Sequence, residues 1–169
     1  MRANIIVGLC AAAMGIVAAA VIGAVATLTL MKPAPDARFT KLSGETFSTT
    51  ELRGKVVLVN FWATYCGACL KEMPQLVETH RKFAARGYET VAVAVRQDDA
   101  ARVAGFAASR ALPFTVAFDA SGELAKEFGK VRITPTSFLI DKHGRVIWRA
   151  VGMPNWSELH ERIERALGS

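Results

Sequence analysis

The sequence predicts an α/β domain behind a detached apolar N-terminal segment. Three observations lead there. Valine-rich strand patterns at Val56–Phe61 and Glu89–Val95 alternate with helical patterns. Two cysteines, Cys66 and Cys69, stand two residues apart where the first of those strands gives way to a helix. Ile5 to Met31 carries no charge at all, and at 1.5 Å per residue it reaches roughly 40 Å, more than the ~30 Å of a bilayer's hydrocarbon core. With 169 residues, the chain has room for one ordinary domain and that appendage.

Residues 1–31 are accordingly read as an uncleaved signal anchor, a single transmembrane helix, because a cleavable signal has an apolar region of only about 7–15 residues. Cys10 follows Leu9, which does not fit a lipoprotein cleavage site, and it reads as a small apolar filler. Ala11, Gly15, Ala19 and Gly23 recur at intervals of four. Such a stripe can pack two helices closely, but alanine-rich composition also produces it by chance, and that is the preferred reading. Residues 32–38, with Pro33 and Pro35, are read as an extended linker, and residues 39–169 as the folded domain.

Within the domain, Phe39 to Phe47, broken by Ser43-Gly44, predicts a small hairpin, and Ser48 to Leu52 a helical turn. Val56–Phe61 is a continuous apolar run, the mark of a parallel strand buried on both faces. The next helix should run from about Gly67 to Arg86, with Leu70, Met73, Leu76, Val77 and Phe83 at helical spacing, Pro74 bending it and Gly87 ending it. After Glu89–Val95, Asp98 or Asp99 caps a helix that buries Val103, Phe106 and Ala107. Phe114–Phe118 is a strand and Asp119–Gly129 a short helix carrying Leu124, Ala125 and Phe128. Thr136–Ile140 and Val146–Val151 form a hairpin across Asp141-Lys142-His143-Gly144. A last helix starts at Asn155, with Glu158 completing a capping-box-like pattern, and buries Trp156, Leu159, Ile163 and Leu167.

The cysteine pair carries the chemistry. On a helix, positions i and i+3 lie one turn apart on one face, within the roughly 4.4–6.8 Å Cα separation that a disulfide tolerates. Cys66 falls at the helix N-terminus, where free N–H groups and the macrodipole favour a thiolate, so it is the attacking group. Cys69 lies one turn inside and is the resolving thiol. Its proton needs an acceptor, and Glu72 is the candidate; a solvated helix glutamate beside Lys71 is the other reading of that residue.

The stretch Phe61-Trp62-Ala63-Thr64, Cys66-Gly67-Ala68-Cys69, Glu72 and Pro74, followed much later by Thr134-Pro135-Thr136-Ser137-Phe138-Leu139-Ile140-Asp141, resembles the thioredoxin superfamily, and within it the membrane-anchored TlpA-like and ResA-like thiol–disulfide oxidoreductases. The resemblance implies a thioredoxin-like fold, a central mixed sheet flanked by helices, with an N-terminal hairpin and a central helix-and-strand insertion. It implies a redox disulfide between Cys66 and Cys69, Glu72 as the acidic residue beside it, a cis Thr134–Pro135 bond, and Trp62, Tyr65, Thr134 and Pro135 as client-binding residues. Asn60 stands where thioredoxin proper has an aspartate, Ala68 where proline is common, and Tyr65 where tryptophan is usual. Gly67 and Ala68 bring no charge to the cysteines, so a reductant is expected, nearer ~−270 mV than the ~−120 mV of a strong oxidant.

The implied partners are disulfide-bearing client proteins such as apocytochromes c, and a membrane thiol reductant as electron donor. The exchange calls for no cofactor and no metal. The implied location is the cytoplasmic membrane, with the domain on its periplasmic face. Flanking charge leaves the orientation open, since Arg2 lies on one side and Lys32, Arg38 and Lys41 on the other. Lysine and arginine are spread without a dense run, which gives nucleic-acid binding no support despite a formal net charge of +6. Two alternatives use the same cysteines. A soft-metal chaperone would draw on His80, His143 or Met153, yet His80 lies roughly 16 Å along the helix from Cys69. A peroxiredoxin-like peroxidase would show a Pro-x-x-x-Thr-x-x-Cys pattern, which the chain does not have.

Overall fold

The computed structural model describes residues 32–169, so the expected transmembrane helix lies outside the described residues. Among those residues, no helix is long and apolar enough to cross a membrane. Pro33–Ser169 forms one compact unit. Its centre is a five-stranded mixed sheet of β3 (Val56–Trp62), β4 (Tyr88–Ala94), β5 (Thr115–Phe118), β6 (Thr136–Ile140) and β7 (Val146–Val151), in the order β5-β4-β3-β6-β7. β3, β4 and β5 run parallel, while β6 and β7 are antiparallel to their neighbours. Helices α1 (Gly67–Phe83), α2 (Ala100–Ser109), α3 (Glu123–Glu127) and α4 (Trp156–Gly168) pack on this sheet. This is the thioredoxin-like architecture expected from the two motifs.

Strand periodicity sorts the core. Val56, Leu58 and Trp62 of β3 cluster with Met73, Leu76 and Phe83 of α1, Val103 of α2, and Leu159 and Ile163 of α4. The alternate residues Val57, Val59 and Phe61 cluster instead with Leu124 and Phe128, and with Phe39 and Phe47. Those last two belong to the hairpin β1 (Arg38–Thr40) and β2 (Thr46–Ser48), their rings stacked at 5.0 Å. All seven residues of β3 are buried, as an apolar run covered on both faces should be. Asn60 shares the even-numbered face with Leu58 and Trp62 and is drawn under α1.

Each edge of the sheet is covered at one point, the two at opposite ends, which limits stray strand pairing. Lys41 bridges to Ala117 on the β5 edge, and Pro33 bridges to Arg145 at the start of β7. The second bridge corrects the reading of residues 32–38 as a free linker. From Pro33 onward the segment is docked: the Ala34 N–H donates to the Gly144 carbonyl, the Ala37 N–H to the Thr49 hydroxyl, and Ala37 is buried. Backbone donors that find partners hold the segment down despite its proline content.

Other differences are local. α1 tightens into a 3₁₀ turn at Ala84–Arg86 before Gly87, whose left-handed φ of 90° ends it. Leu70 is exposed rather than part of the core face, and Phe106, Ala107, Trp156 and Leu167 are half-buried. α3 is shorter than Asp119–Gly129 because Asp119 stays outside it and accepts the Leu124 and Ala125 N–H groups. Asp99 and Asn155 cap α2 and α4 as expected, accepting from Arg102 N–H and Glu158 N–H.

Candidate active site

β3 ends at Trp62, and the chain turns through Ala63–Tyr65 into α1 with Cys66 as its N-cap. Extended backbone at Cys66 (φ −86°, ψ 104°) aims its sulfur back at the helix end, where it accepts the Cys69 N–H at 3.2 Å. Cys66 and Cys69 are joined by a disulfide with their Cα atoms 5.2 Å apart. Cys66 is half-buried and Cys69 wholly buried, so only the first sulfur is open to a client. The Thr134–Pro135 bond is cis. It places the Thr134 carbonyl oxygen 3.5 Å from Cys66 Sγ, although the two cysteines and this loop are far apart in sequence.

Behind the disulfide, Glu72 follows Cys69 by one helical turn and is 1% exposed. The reading of Glu72 as a solvated surface residue is thereby corrected: α1 turns it inward onto β3. Asn60 Nδ2 donates to Glu72 Oε1 at 2.8 Å and to Ser137 Oγ at 3.0 Å. Burial pushes the Glu72 carboxyl up to about 7, against the lowering effect of the Asn60 hydrogen bond. Glu72 Oε2 and Asn60 Oδ1 are both buried with no protein partner among the described residues. Burial thus raises the proton affinity of a carboxyl that lies one helical turn from the resolving cysteine.

The client-facing residues divide. Tyr65 is exposed and Thr134 half-buried beside Cys66, while Pro135 is buried with its carbonyl accepting from Gly152 N–H. Trp62 is corrected from a client contact to a support: it has no exposed surface, and its ring packs at 5.3 Å against Phe106. Three exposed apolar residues adjoin these segments in the chain: Ile133 precedes Thr134, Leu70 follows Cys69, and Met153 follows the Gly152 that pairs with Pro135. Asp98 was also missed as a site residue. Its carboxylate accepts both the backbone N–H and the hydroxyl of Thr64, and the Asp99 N–H, tying the loop before Cys66 to the end of β4. The consecutive aspartates 98 and 99 were the available signal, because one cap needs only one of them. His80 packs edge-on against Phe114 in the core, and among the described residues no group of three or more metal-ligating side chains converges.

Known proteins resemble this chain in sequence and in fold. The Redoxin family model covers residues 30–167. The chain belongs to the Redoxin family. Within it, the protein is a ResA-like thiol–disulfide oxidoreductase. It is 38% identical over 134 residues to the thiol-disulfide oxidoreductase ResA of Bacillus thuringiensis subsp. konkukian, covering 79% of this chain and 76% of that one. The Bacillus subtilis ResA is 32% identical, over 76% of this chain and 70% of that one. Among solved structures, a thioredoxin-family thiol:disulfide interchange protein from Chlorobium tepidum superposes with a TM-score of 0.73 at 31% identity, covering 82% of this chain and 97% of that one. StoA from Bacillus subtilis superposes at 0.64 with 27% identity, over 76% and 98%. This ResA-like chain thus surrounds its Cys66–Cys69 disulfide with Asn60, Glu72, Asp98 and Thr134.

Proposed function

We propose that this oxidoreductase is a reductant of disulfides in extracytoplasmic proteins, apocytochromes c among them. In this reading it is held by residues 1–31 at the outer face of the cytoplasmic membrane and is re-reduced there by a membrane thiol donor. The observation that supports a reducing role is the Thr134 carbonyl beside Cys66 Sγ. After reduction, a Cys66 thiol can donate to that oxygen, whereas a thiolate faces the negative end of its dipole. The carbonyl therefore offsets the helix dipole. Strong oxidants are those whose reduced thiolate is strongly stabilised, and neither Gly67 nor Ala68 brings a charge to do so.

The cycle follows from the two burials. The Cys66 thiolate attacks one sulfur of the client disulfide, forming a mixed disulfide and releasing a client thiolate that takes a proton from water. Cys69 gives its proton to the Glu72 carboxylate and attacks Cys66 Sγ, and the second client thiolate leaves. Two electrons pass to the client, and the Cys66–Cys69 disulfide seen here is the product.

The test mixes reduced full-length protein with a Cys-x-x-Cys-His peptide disulfide, with no other redox couple present, and reads both by thiol labelling at equilibrium. A reductant leaves the peptide mostly as dithiol when the protein is in excess. Net oxidation of the peptide dithiol would overturn the reading. A fusion of alkaline phosphatase to Ser169, active only when exported, tests the location.

A further inference from the structure

We infer that a basic groove beside the redox site selects clients whose disulfide is flanked by acidic side chains. This inference rests on the reductant reading and adds the class of client. The groove, about 400 Å³, is lined by Arg96, Lys126, Lys130 and Arg132, all exposed. These four are scattered along the sequence, and the fold gathers them. Arg96 follows β4, whose end is tied to the cysteine loop by the Val95 N–H donating to the Trp62 carbonyl and by Asp98 accepting from Thr64. Arg132 stands two residues before Thr134, at most about 7 Å along extended backbone. The groove's Arg132 end therefore stands close to the Thr134 carbonyl that faces Cys66.

The cations are placed rather than merely present. Arg96 lies across Gly122, where a Cβ would come 2.7 Å from its Cδ and where φ is +80°. Only glycine leaves room for that arginine to lie flat. Lys130 holds a left-handed φ of 58° in a turn fixed by its own N–H to the Lys126 carbonyl and by the Val131 N–H to the Ala125 carbonyl. Of the acidic lining groups, Asp119 is occupied by the Leu124 and Ala125 N–H groups, and Glu123 pairs with Lys126 at 3.2 Å. Arg96, Lys130 and Arg132 take part in no ion pair among the described residues. Three uncompensated cations, with exposed Ile133 following Arg132, fit a polypeptide with carboxylates beside an apolar cysteine segment.

The test uses reduced full-length protein in neutral detergent and three peptides, each carrying one cysteine disulfide-linked to a fluorescence quencher. They differ only in flanking residues, which are neutral, acidic or basic. Reduction of the neutral peptide tests the reductant reading by itself, and the ratio of acidic to neutral rate constants tests the groove. We expect a ratio of about threefold to tenfold at low salt, falling toward one in 0.5 M salt. It should fall toward one in Lys130→Ser/Arg132→Ser, and preference should shift to the basic peptide in Lys130→Glu/Arg132→Glu. A ratio of one in the wild type, or one that survives both variants, overturns the inference. So does a ratio present in detergent but lost in bilayers containing phosphatidylglycerol, which would assign the groove to anionic headgroups.

Discussion

Asn60 Nδ2 donates a 2.8 Å hydrogen bond to Glu72 Oε1 beneath the redox helix, joining the middle of β3 to the turn after Cys69. The pair is wholly buried, and the carboxyl it holds titrates near 7 because burial outweighs the hydrogen bond. A carboxyl whose folded pKa lies above its unfolded value binds more protons when folded. Its favourable contribution is therefore complete below about pH 4.5 and is lost as pH rises through about 7.

Glu72→Gln should remove that dependence. The variant keeps an oxygen to accept from Asn60 and cannot ionise, so it should be more stable than wild type at pH 8, by up to about 3 kcal/mol, and equal to it below about pH 4. It should also slow release of a trapped client near neutral pH, because Cys69 loses its proton acceptor. Urea unfolding across pH and single-turnover exchange measure the two effects. Parallel stability curves would show that the carboxyl is not strained by burial.

The half-exposed and buried sulfurs should behave differently after reduction. Iodoacetamide should alkylate Cys66 first, Cys66→Ser should abolish exchange, and Cys69→Ser should accumulate a mixed disulfide with the client. Mass spectrometry of the labelled protein reads the order directly. Faster labelling of Cys69 would reverse the assigned roles.

The elements were legible in the sequence where a single physical demand governs a run of residues. Val56–Trp62 is apolar throughout because both faces are covered, and Asp99, Gly87 and Asn155 mark helix ends that backbone geometry requires. Cys66 and Cys69 were legible because their spacing is itself the geometry. The Asn60–Glu72 bond was not, since it joins two positions whose facing depends on how α1 rolls over the sheet. Asn60 looked like an absent carboxylate, yet it is the group that orients the one present. The docking of Pro33–Ala37 was hidden for a similar reason: its partners, Gly144 and Thr49, come from distant turns.

Asp98 should matter for both stability and rate. Its carboxylate takes three donors from the loop ends, two of them from Thr64, two residues before Cys66. Asp98→Ala leaves three part-buried hydrogen bonds unmade and should cost about 2 kcal/mol, while Thr64→Val, which keeps the backbone bond, should cost about 1 kcal/mol. Exchange should slow about tenfold or more in Asp98→Ala as Cys66 loses its fixed approach. Urea unfolding and exchange with a neutral peptide separate the two effects. A destabilised variant with an unchanged rate would show that the loop is positioned by α1 alone.

Asn60→Asp would place a second carboxyl against the first. Two carboxylates at hydrogen-bond distance cannot both ionise cheaply, so the pair should share one proton and titrate with two separated apparent pKa values, the upper one above the 7 of the wild-type Glu72. At pH 5 the shared proton should keep the variant close to wild type in stability. As pH rises, one proton is held in the folded state and released in the unfolded one in both proteins, so the two slopes should match up to about pH 6, and the variant's stability should continue to fall beyond pH 8, where wild type has levelled off. Ser137 remains as an acceptor or donor to the new carboxyl, which limits the loss at low pH. Urea unfolding at pH 5, 7 and 9, with carboxyl titration by NMR, measures both parts. A variant whose stability levels off at the same pH as wild type would mean that the Asn60 and Glu72 side chains do not face each other in solution.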